Sequence, residues 1–561
     1  MSKITGSEAL LRTLIAEGVE CIFGYPGGQA IPIYDKLYDY KDKLRHVLVR
    51  HEQGATHAAQ GYARVSGRVG VVVVTSGPGA TNTITGIADA MLDSTPLVVI
   101  AGQVPSSLLG TDAFQEVDVI GITLPITKWA YQVRSAADIA WAVSRAFYVA
   151  STGRPGPVVI DIAKDAQVGL VDYVYKPVDY IRSYCPWPTL EPDRIQEAAD
   201  LINRAKRPFA LVGQGVILSG AEHELKLFLD KADIPAGSTM LGLSAMSSAY
   251  RLNKGLLGMH GNMGPNRKTN ECDVLIAIGM RFDDRVTGNV NTYARQAKVI
   301  HLDIDLSEMD KNVKTDVKVL GNVKDTLREL TKLLEPNSHA KWINSFVADE
   351  QEEHDKIIRK ELQPEGGHLH MGEVIRKVSE ATANEAVLVT DVGQNQVMSA
   401  RYFKYSKTRS IVTSGGLGTM GFGLPAAIGS KIGAPDRTVC LFVGDGGLQM
   451  TLQELGTIMQ EKLNIKIILL NNSFLGMVRQ WQELFFEARY SFTEMENPDF
   501  VTIAKAFRIG ARKVTEREEI DDAIREMLHS QGAFLLAVDI EKCGIVYPMV
   551  PAGGTITDMI Y

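Results

Sequence analysis

The chain has 561 residues, 45% hydrophobic and 22% charged, with a formal net charge of −7. That length is too great for one core and predicts about two to four domains of an ordinary globular protein, and the mild acidity gives no electrostatic reason to expect nucleic acid or an anionic membrane as partner. Five dispersed cysteines without a C-x-x-C pair, no basic-then-apolar leader and no apolar run of about 18 residues predict reduced thiols, no membrane segment and a cytoplasmic location.

From the amino end, a helix is predicted over 7–18, and a short strand from Cys21 leads into a glycine loop ending at Gly28. A strand over 47–52 ends in Glu52, a helix follows over 55–65, and apolar runs at 70–74, 96–102 and 158–162 read as buried strands. This alternation predicts a doubly wound parallel sheet over 1–170. Prolines between Val168 and Pro192 mark a linker. Region 190–335 repeats the pattern, with strands before Gly213 and Gly215, before Gly279, and into Asp303, Ile304 and Asp305. Carboxylates at strand ends can accept from ribose hydroxyls, but the two glycines are not completed to G-x-G-x-x-G, so the residues leave a dinucleotide site open. From Lys324 to about Glu365 the chain is charged and helix-prone, and from Asp349 to Glu353 only Gln351 is not acidic. A solvated surface helix and a second linker are expected there. A third doubly wound region over 366–545 and an arm over 546–561 complete an α/β chain of three parallel-sheet domains.

The third region carries the most specific chemistry. An apolar run ends in Gly444, Asp445, Gly446 and Gly447, helical spacing covers 448–459, and a second apolar run ends at Asn471 and Asn472. A strand–turn–helix–strand unit with a right-handed crossover puts Asp445 and Asn472 at the carboxyl ends of neighbouring strands, where open α/β sheets bind ligands. An Asp carboxylate beside an Asn carbonyl suits Mg²⁺, which fills its remaining positions with phosphate and water. The glycines let a phosphate approach the backbone. No Gly-Lys-Ser/Thr follows, which excludes a Walker loop; a plain strand-to-helix turn is the alternative. The run from Thr413 to Gly418 echoes Thr75 to Gly79, suggesting two related halves.

These motifs at this spacing resemble the thiamine-diphosphate motif of the thiamine-dependent decarboxylases and synthases. From about Gly6 to Thr555 the chain resembles the catalytic subunits of the acetolactate synthases. The resemblance implies thiamine diphosphate, Mg²⁺ and FAD as cofactors, with Asp445, Asn472 and the Phe474 carbonyl on the metal. It places Val392, Gly393, Gln394, Asn395, Gly418, Gly446, Gly447, Leu475, Gly476 and Met477 around the thiamine cofactor, Asn395 standing where the family usually has His. Met420 becomes the bulky residue under the bent cofactor, although alone it would read as core. Glu52 alone would read as a first-turn carboxylate; the family uses a matching Glu to engage N1′ of the aminopyrimidine. Gly28 and Gln115 fall beside the reacting carbon, and Phe114 and Lys164 at the substrate entrance, where a lone Lys164 would read as a solvated surface residue.

For FAD, the resemblance implies Arg154, Gly213, Gly215, Thr239, Met240, Leu241, His260, Gly261, Gly279, Arg281, Asp284, Asp303, Ile304, Asp305 and Asn322. Arg285 matches the arginine that holds the second substrate's carboxylate, its alternative being an ion pair with Asp283 or Asp284. Trp481 shapes the acceptor pocket on a mobile helix, with Phe485, Phe486 and Tyr490 as an apolar patch nearby. The family joins two 2-ketoacids on the route to branched-chain amino acids, works as a homodimer or homotetramer and takes a small regulatory subunit. A flavin oxidoreductase, a flavin-free relative and a non-catalytic paralogue are the rivals; Arg285 and Trp481 speak against the first.

Overall fold

The computed structural model describes residues 3–556 and 558–561; residues 1, 2 and 557, within the expected 1–170 and 546–561 regions, lie outside it. Three six-stranded sheets with flanking helices carry the fold, and every strand runs parallel to its neighbours. The first sheet holds β1 (Cys21–Gly24), β2 (Arg45–Leu48), β3 (Gly70–Val74), β4 (Leu97–Gln103), β5 (Trp129–Val133) and β6 (Pro157–Ala163), in spatial order β2-β1-β3-β4-β6-β5. The middle sheet holds β7 (Pro208–Val212), β8 (Ala236–Ser238), β9 (Asn253–Leu256), β10 (Val274–Ile278), β11 (Lys298–Asp303) and β12 (Val317–Leu320), in order β9-β8-β7-β10-β11-β12. The third holds β13 (Val387–Thr390), β14 (Ile411–Val412), β15 (Val439–Gly444), β16 (Ile465–Asn471), β17 (Gly510–Val514) and β18 (Phe534–Asp539), in order β14-β13-β15-β16-β18-β17. The apolar runs form these strands because β3, β4 and β6 are buried along their whole length, as parallel sheets covered on both faces require. Each fully buried Val, Leu or Ile contributes about 1.5–3 kcal/mol.

The first and third sheets have the same strand order. The helices that follow their second strands, Glu52–Ser66 and Gly423–Gly433, pack on each other. A Cβ on Gly61 would lie 2.1 Å from the Ala426 carbonyl oxygen, and one on Gly429 only 1.7 Å from that of Ala58. Glycine at both positions therefore permits the close crossing. One apolar core runs from Val72 and Val99 through Ala58, Ala59 and Ala426 to Leu441 and Ile467.

Several expectations change. Thr413 follows β14, whose counterpart is β2, whereas Thr75 follows β3, whose counterpart is β15. The two halves are alike, but the sequence echo joins loops that are not counterparts. The helix Phe346–Glu353 is solvated on one face only, with Val347, Ala348, Glu350 and Gln351 exposed and Phe346, Asp349 and Glu353 buried. Glu353 is buried, accepts from Arg401 and Asn262 at one oxygen and from the Met263 N–H at the other, 2.8 Å away. Arg401 also donates to the His260 and Gly261 carbonyls at 2.9 and 3.0 Å. A buried charge needs such partners. The predicted strand into Glu52 stops at Leu48, and Glu52 is instead the first residue of its helix, capped by His51. The helical spacing after Asp445 divides into Asp445–Met450 and Leu455–Glu461. Leu170–Val171, in the expected linker, pairs antiparallel with Ile4–Thr5. All five cysteines are free thiols, with Cys21, Cys272 and Cys440 buried. Among the described residues no helix is long and apolar enough to cross a membrane.

Candidate active site

On the third sheet, Gly444 lies in register with Leu470 on the neighbouring strand, so Asp445 and Asn472 leave the same sheet end side by side. The Asp445 carboxylate is buried and accepts from Asn497 Nδ2 at 2.6 Å; Asn497 also donates to Asn471 Oδ1 at 2.9 Å. Burial pushes the Asp445 carboxyl up, against the opposing pull of Asn497 and of the backbone N–H groups of Gly446 and Ser473. A cation beside it would favour the charged form. Asn472 Oδ1 accepts from the Phe474 N–H at 3.2 Å, and Ser473 between them takes a left-handed turn, φ 56°. This set of oxygens holds a single carboxylate. Among the described residues no group of three or more His, Cys, Asp or Glu could hold a metal, so the set fits a hard cation that takes its other ligands from phosphate and water.

The helices Gln394–Tyr402 and Gly476–Phe485 start next to this set. A Cβ on Gly476 would lie 2.3 Å from Gln394 Oε1 and 2.8 Å from Asn472 Nδ2. Two adjoining helix starts with free N–H groups suit a diphosphate. Gly393 has φ 121°, a conformation that needs glycine. Asn395 Nδ2 donates to the Val392 carbonyl at 3.2 Å, and its buried Oδ1 has no partner. Leu475, Met420 and Met495 pack around Gly446, whose Cβ would lie 2.7 Å from Leu475 Cδ2 and 3.6 Å from Met420 Cε. At Gly447 the missing side chain makes room for Asp391, whose Oδ1 would lie 2.4 Å from a Cβ.

On the first sheet, Glu52 Oε2 accepts from Asn82 Nδ2 at 2.9 Å, and a Cβ on Gly79 would lie 3.6 Å from Glu52 Oε1. Lys164 is half-buried and donates to the Gly28 carbonyl at 3.3 Å through an exposed hydrogen bond. Gln115, in a left-handed conformation with φ 62°, reaches toward Gly28, whose Cβ would lie 3.9 Å from its Oε1. Phe114 stands 84% exposed beside them. Among the described residues no hydrogen bond joins this group to Asp445 or Asn472.

A cavity of about 580 Å³ opens against the carboxyl ends of β7 and β10, where the strand order of the middle sheet reverses. That is within the roughly 300–1,000 Å³ of small-molecule sites. Its walls include Arg154, Gly215, Thr239, Met240, Leu241, His260, Gly279, Arg281, Asp284, Asp303, Ile304 and Asn322. Arg285, Met477, Trp481, Val392, Gly393 and Gly418 line the same cavity. Gly213, Gly261 and Asp305 are not on its walls. Gly213 packs on Gly279, whose carbonyl oxygen would lie 2.1 Å from a Cβ, and Asp305 pairs with Arg154 at 3.2 Å. Burial pushes Asp303 up to about 7 and His260 down to about 4. Arg285 is 61% exposed and only loosely paired, 3.7 Å from Asp284, which leaves its guanidinium free for a carboxylate. The reading of the sequence missed Gln214, Ser94, Trp187, Glu308 and the Ser414–Gly416 segment on these walls. Gln214, between two glycines at a strand end, could have been found; Ser94 and Trp187 arrive from distant segments with no motif around them.

Three family profiles match the chain: "Thiamine pyrophosphate enzyme, N-terminal TPP binding domain" over residues 4–122, "central domain" over 195–330, and "C-terminal TPP binding domain" over 391–538. The chain is 43% identical over 557 residues to the acetolactate synthase large subunit of Lactococcus lactis, covering 99% of this chain and 96% of that one. It is 42% identical over 559 residues to the acetolactate synthase isozyme 2 large subunit of Escherichia coli, covering 99% of each. With the acetolactate synthase large subunit of Corynebacterium glutamicum the identity is 44% over 574 residues, 100% of this chain and 90% of the relative.

Proposed function

The chain belongs to the thiamine pyrophosphate enzymes, among the acetolactate synthase large subunits, and from that premise we propose how its residues divide the reaction. It is an enzyme that forms carbon–carbon bonds with thiamine diphosphate in branched-chain amino acid biosynthesis. Pyruvate loses CO₂, and its two-carbon unit joins a second pyruvate to give 2-acetolactate, or 2-ketobutyrate to give 2-aceto-2-hydroxybutyrate. Thiamine diphosphate, when bound, supplies stabilisation of the negative charge left at the carbon that loses CO₂.

Residues 366–545 would hold the diphosphate end, with Asp445, Asn472 and the Phe474 carbonyl as ligands for Mg²⁺ and the two adjoining helix starts for the phosphates. Met420, beside Gly446, would pack against the cofactor. From residues 1–170, Glu52 holds a proton at N1′ of the pyrimidine, and Gly28 and Gln115 flank the reacting carbon. The cavity against the middle sheet would hold FAD, with residues of all three regions on its walls, and residues 546–561 would form an arm near the entrance. Arg285 orients the acceptor's carboxylate, and Trp481 limits the acceptor's size.

Among the described residues Glu52's hydrogen-bond partner, Asn82, belongs to its own sheet's layer, and the exposed Phe114, on a loop, and Ile31, at a helix start, lie near that sheet end. This supports a homodimer in which each chain lends Glu52 to its partner's metal site. The relatives are named large subunits, which supports a small regulatory partner. Free thiols suit a reducing cytoplasm. One observation carries the reading: Arg285 and Trp481 share a single cavity with Val392, Gly393 and Gly418. Product analysis with both ketoacids, with and without each cofactor, tests it. Acetolactate should form with the flavin staying oxidised; flavin reduction matching CO₂ release from pyruvate alone would mark an oxidase instead.

A further inference from the structure

All three sheet regions meet at Gly415 and Gly416. A Cβ on Gly416 would lie 2.9 Å from Asp93 Oδ1 and 3.1 Å from Arg281 Nη2, and one on Gly415 would lie 2.9 Å from Leu241 Cγ. Asp93 is buried and accepts from the Gly415 N–H at 2.8 Å, the Gly416 N–H at 2.7 Å and Arg64 Nη2 at 2.6 Å. Arg64 donates again to the Thr413 carbonyl. One turn before Asp93, Asp89 Oδ1 accepts from the hydroxyls of Ser414 and Thr419, the latter at 3.2 Å. Ser414 Oγ in turn accepts from the Thr419 N–H at 2.8 Å. The other Asp89 oxygen is buried without a partner, and burial together with Asp93 pushes that carboxyl up.

Neither acid lines the large cavity. The loop they hold does, through Ser414 to Gly418, while Met420 at its far end reaches the Gly446 side of the metal pocket. The loop from Thr413 to Met420, with three glycines among its eight residues, has much conformational freedom to lose. Charge-assisted hydrogen bonds from a neighbouring layer remove that freedom before any ligand arrives.

We propose that Asp89 and Asp93 are positioning residues for the reaction: they fix the Thr413–Met420 loop from the first sheet's layer, and because that one loop serves both the flavin cavity and the thiamine site, they couple the affinities of the two cofactors. The inference rests on the cofactor assignments above. In their absence each cofactor must order the loop itself, so both affinities fall together.

The test uses the full-length protein and two variants, Asp89→Asn and Thr419→Val. FAD binding is read from flavin fluorescence, and thiamine diphosphate binding with Mg²⁺ from calorimetry. Both dissociation constants should rise by about tenfold in Asp89→Asn and by less in Thr419→Val. A shift in only one cofactor, or both constants staying within about twofold of the parent in both variants, would overturn the coupling. If Asp89→Asn fails to fold, Thr419→Val decides, since it removes one loop hydroxyl with little change of shape. A parent protein that takes up no flavin would overturn the cavity assignment and the coupling with it.

Discussion

The first and third sheets share one strand order and put different chemistry at equivalent places. After the second strand of the first sheet, a short turn leads into a helix whose first residue is Glu52. After its counterpart, β14, a long glycine-rich loop intervenes before the helix Gly423–Gly433. After β3 come Thr75 to Gly79, with no acid; after β15 comes Asp445. The shared framework supplies strand ends and nothing more, and the loops decide whether an end presents a carboxylate such as Glu52 or the Asp445 and Asn472 oxygens.

The largest expected effects break that comparison directly. Glu52→Gln should lower kcat by about 100-fold or more with thiamine diphosphate and Mg²⁺ still bound. Asp445→Asn should instead lose the cofactor, read as its retention on gel filtration. If the two variants failed in the same way, the halves would not divide the work. Next in size, Gly61→Val forces a side chain onto the Ala426 backbone, which cannot swing aside as a side-chain tip can. It should destabilise the chain by about 1–3 kcal/mol or more, measured by denaturant unfolding. An unchanged midpoint would show that the two helices do not need their close crossing.

A pH-dependent effect concerns the middle sheet, whose strand order differs from that of the other two. Burial pushes the Asp303 carboxyl from an ordinary value of 3.8 up to about 7. The folded chain then holds that proton more tightly than the unfolded one. Its contribution to stability is full below about pH 4 and is lost as pH rises to about 7. Asp303→Asn should flatten that fall by at most about 4 kcal/mol in the cofactor-free protein. An identical slope in parent and variant between those pH values would show that Asp303 titrates normally.

Most of the framework was legible because continuous apolar runs such as Gly70–Val74 and Ile465–Leu470 have few alternatives to a buried parallel strand. Asp445 and Asn472 were legible because both stand at the ends of such runs. Glu353 was not: an acidic run reads as solvated, and only the fold brings Arg401 to it. Asp89 and Asp93 were invisible for the same reason, since Arg64 and the Ser414 loop reach them from elsewhere in the chain. The likeness of Thr413–Gly418 to Thr75–Gly79 suggested two related halves, which the shared strand order bears out, although the two loops are not counterparts, because turn chemistry recurs wherever a strand must stop.

The claim that the two halves complete each other across a dimer is tested most directly by mixing two inactive proteins, Glu52→Gln and Asp445→Asn, and allowing subunits to exchange. If Glu52 serves its partner, each mixed dimer contains one intact site, and activity should return to about one quarter of the parent level. If Glu52 serves its own chain, every site carries one lesion, and a mixture that stays inactive after proven exchange contradicts the account.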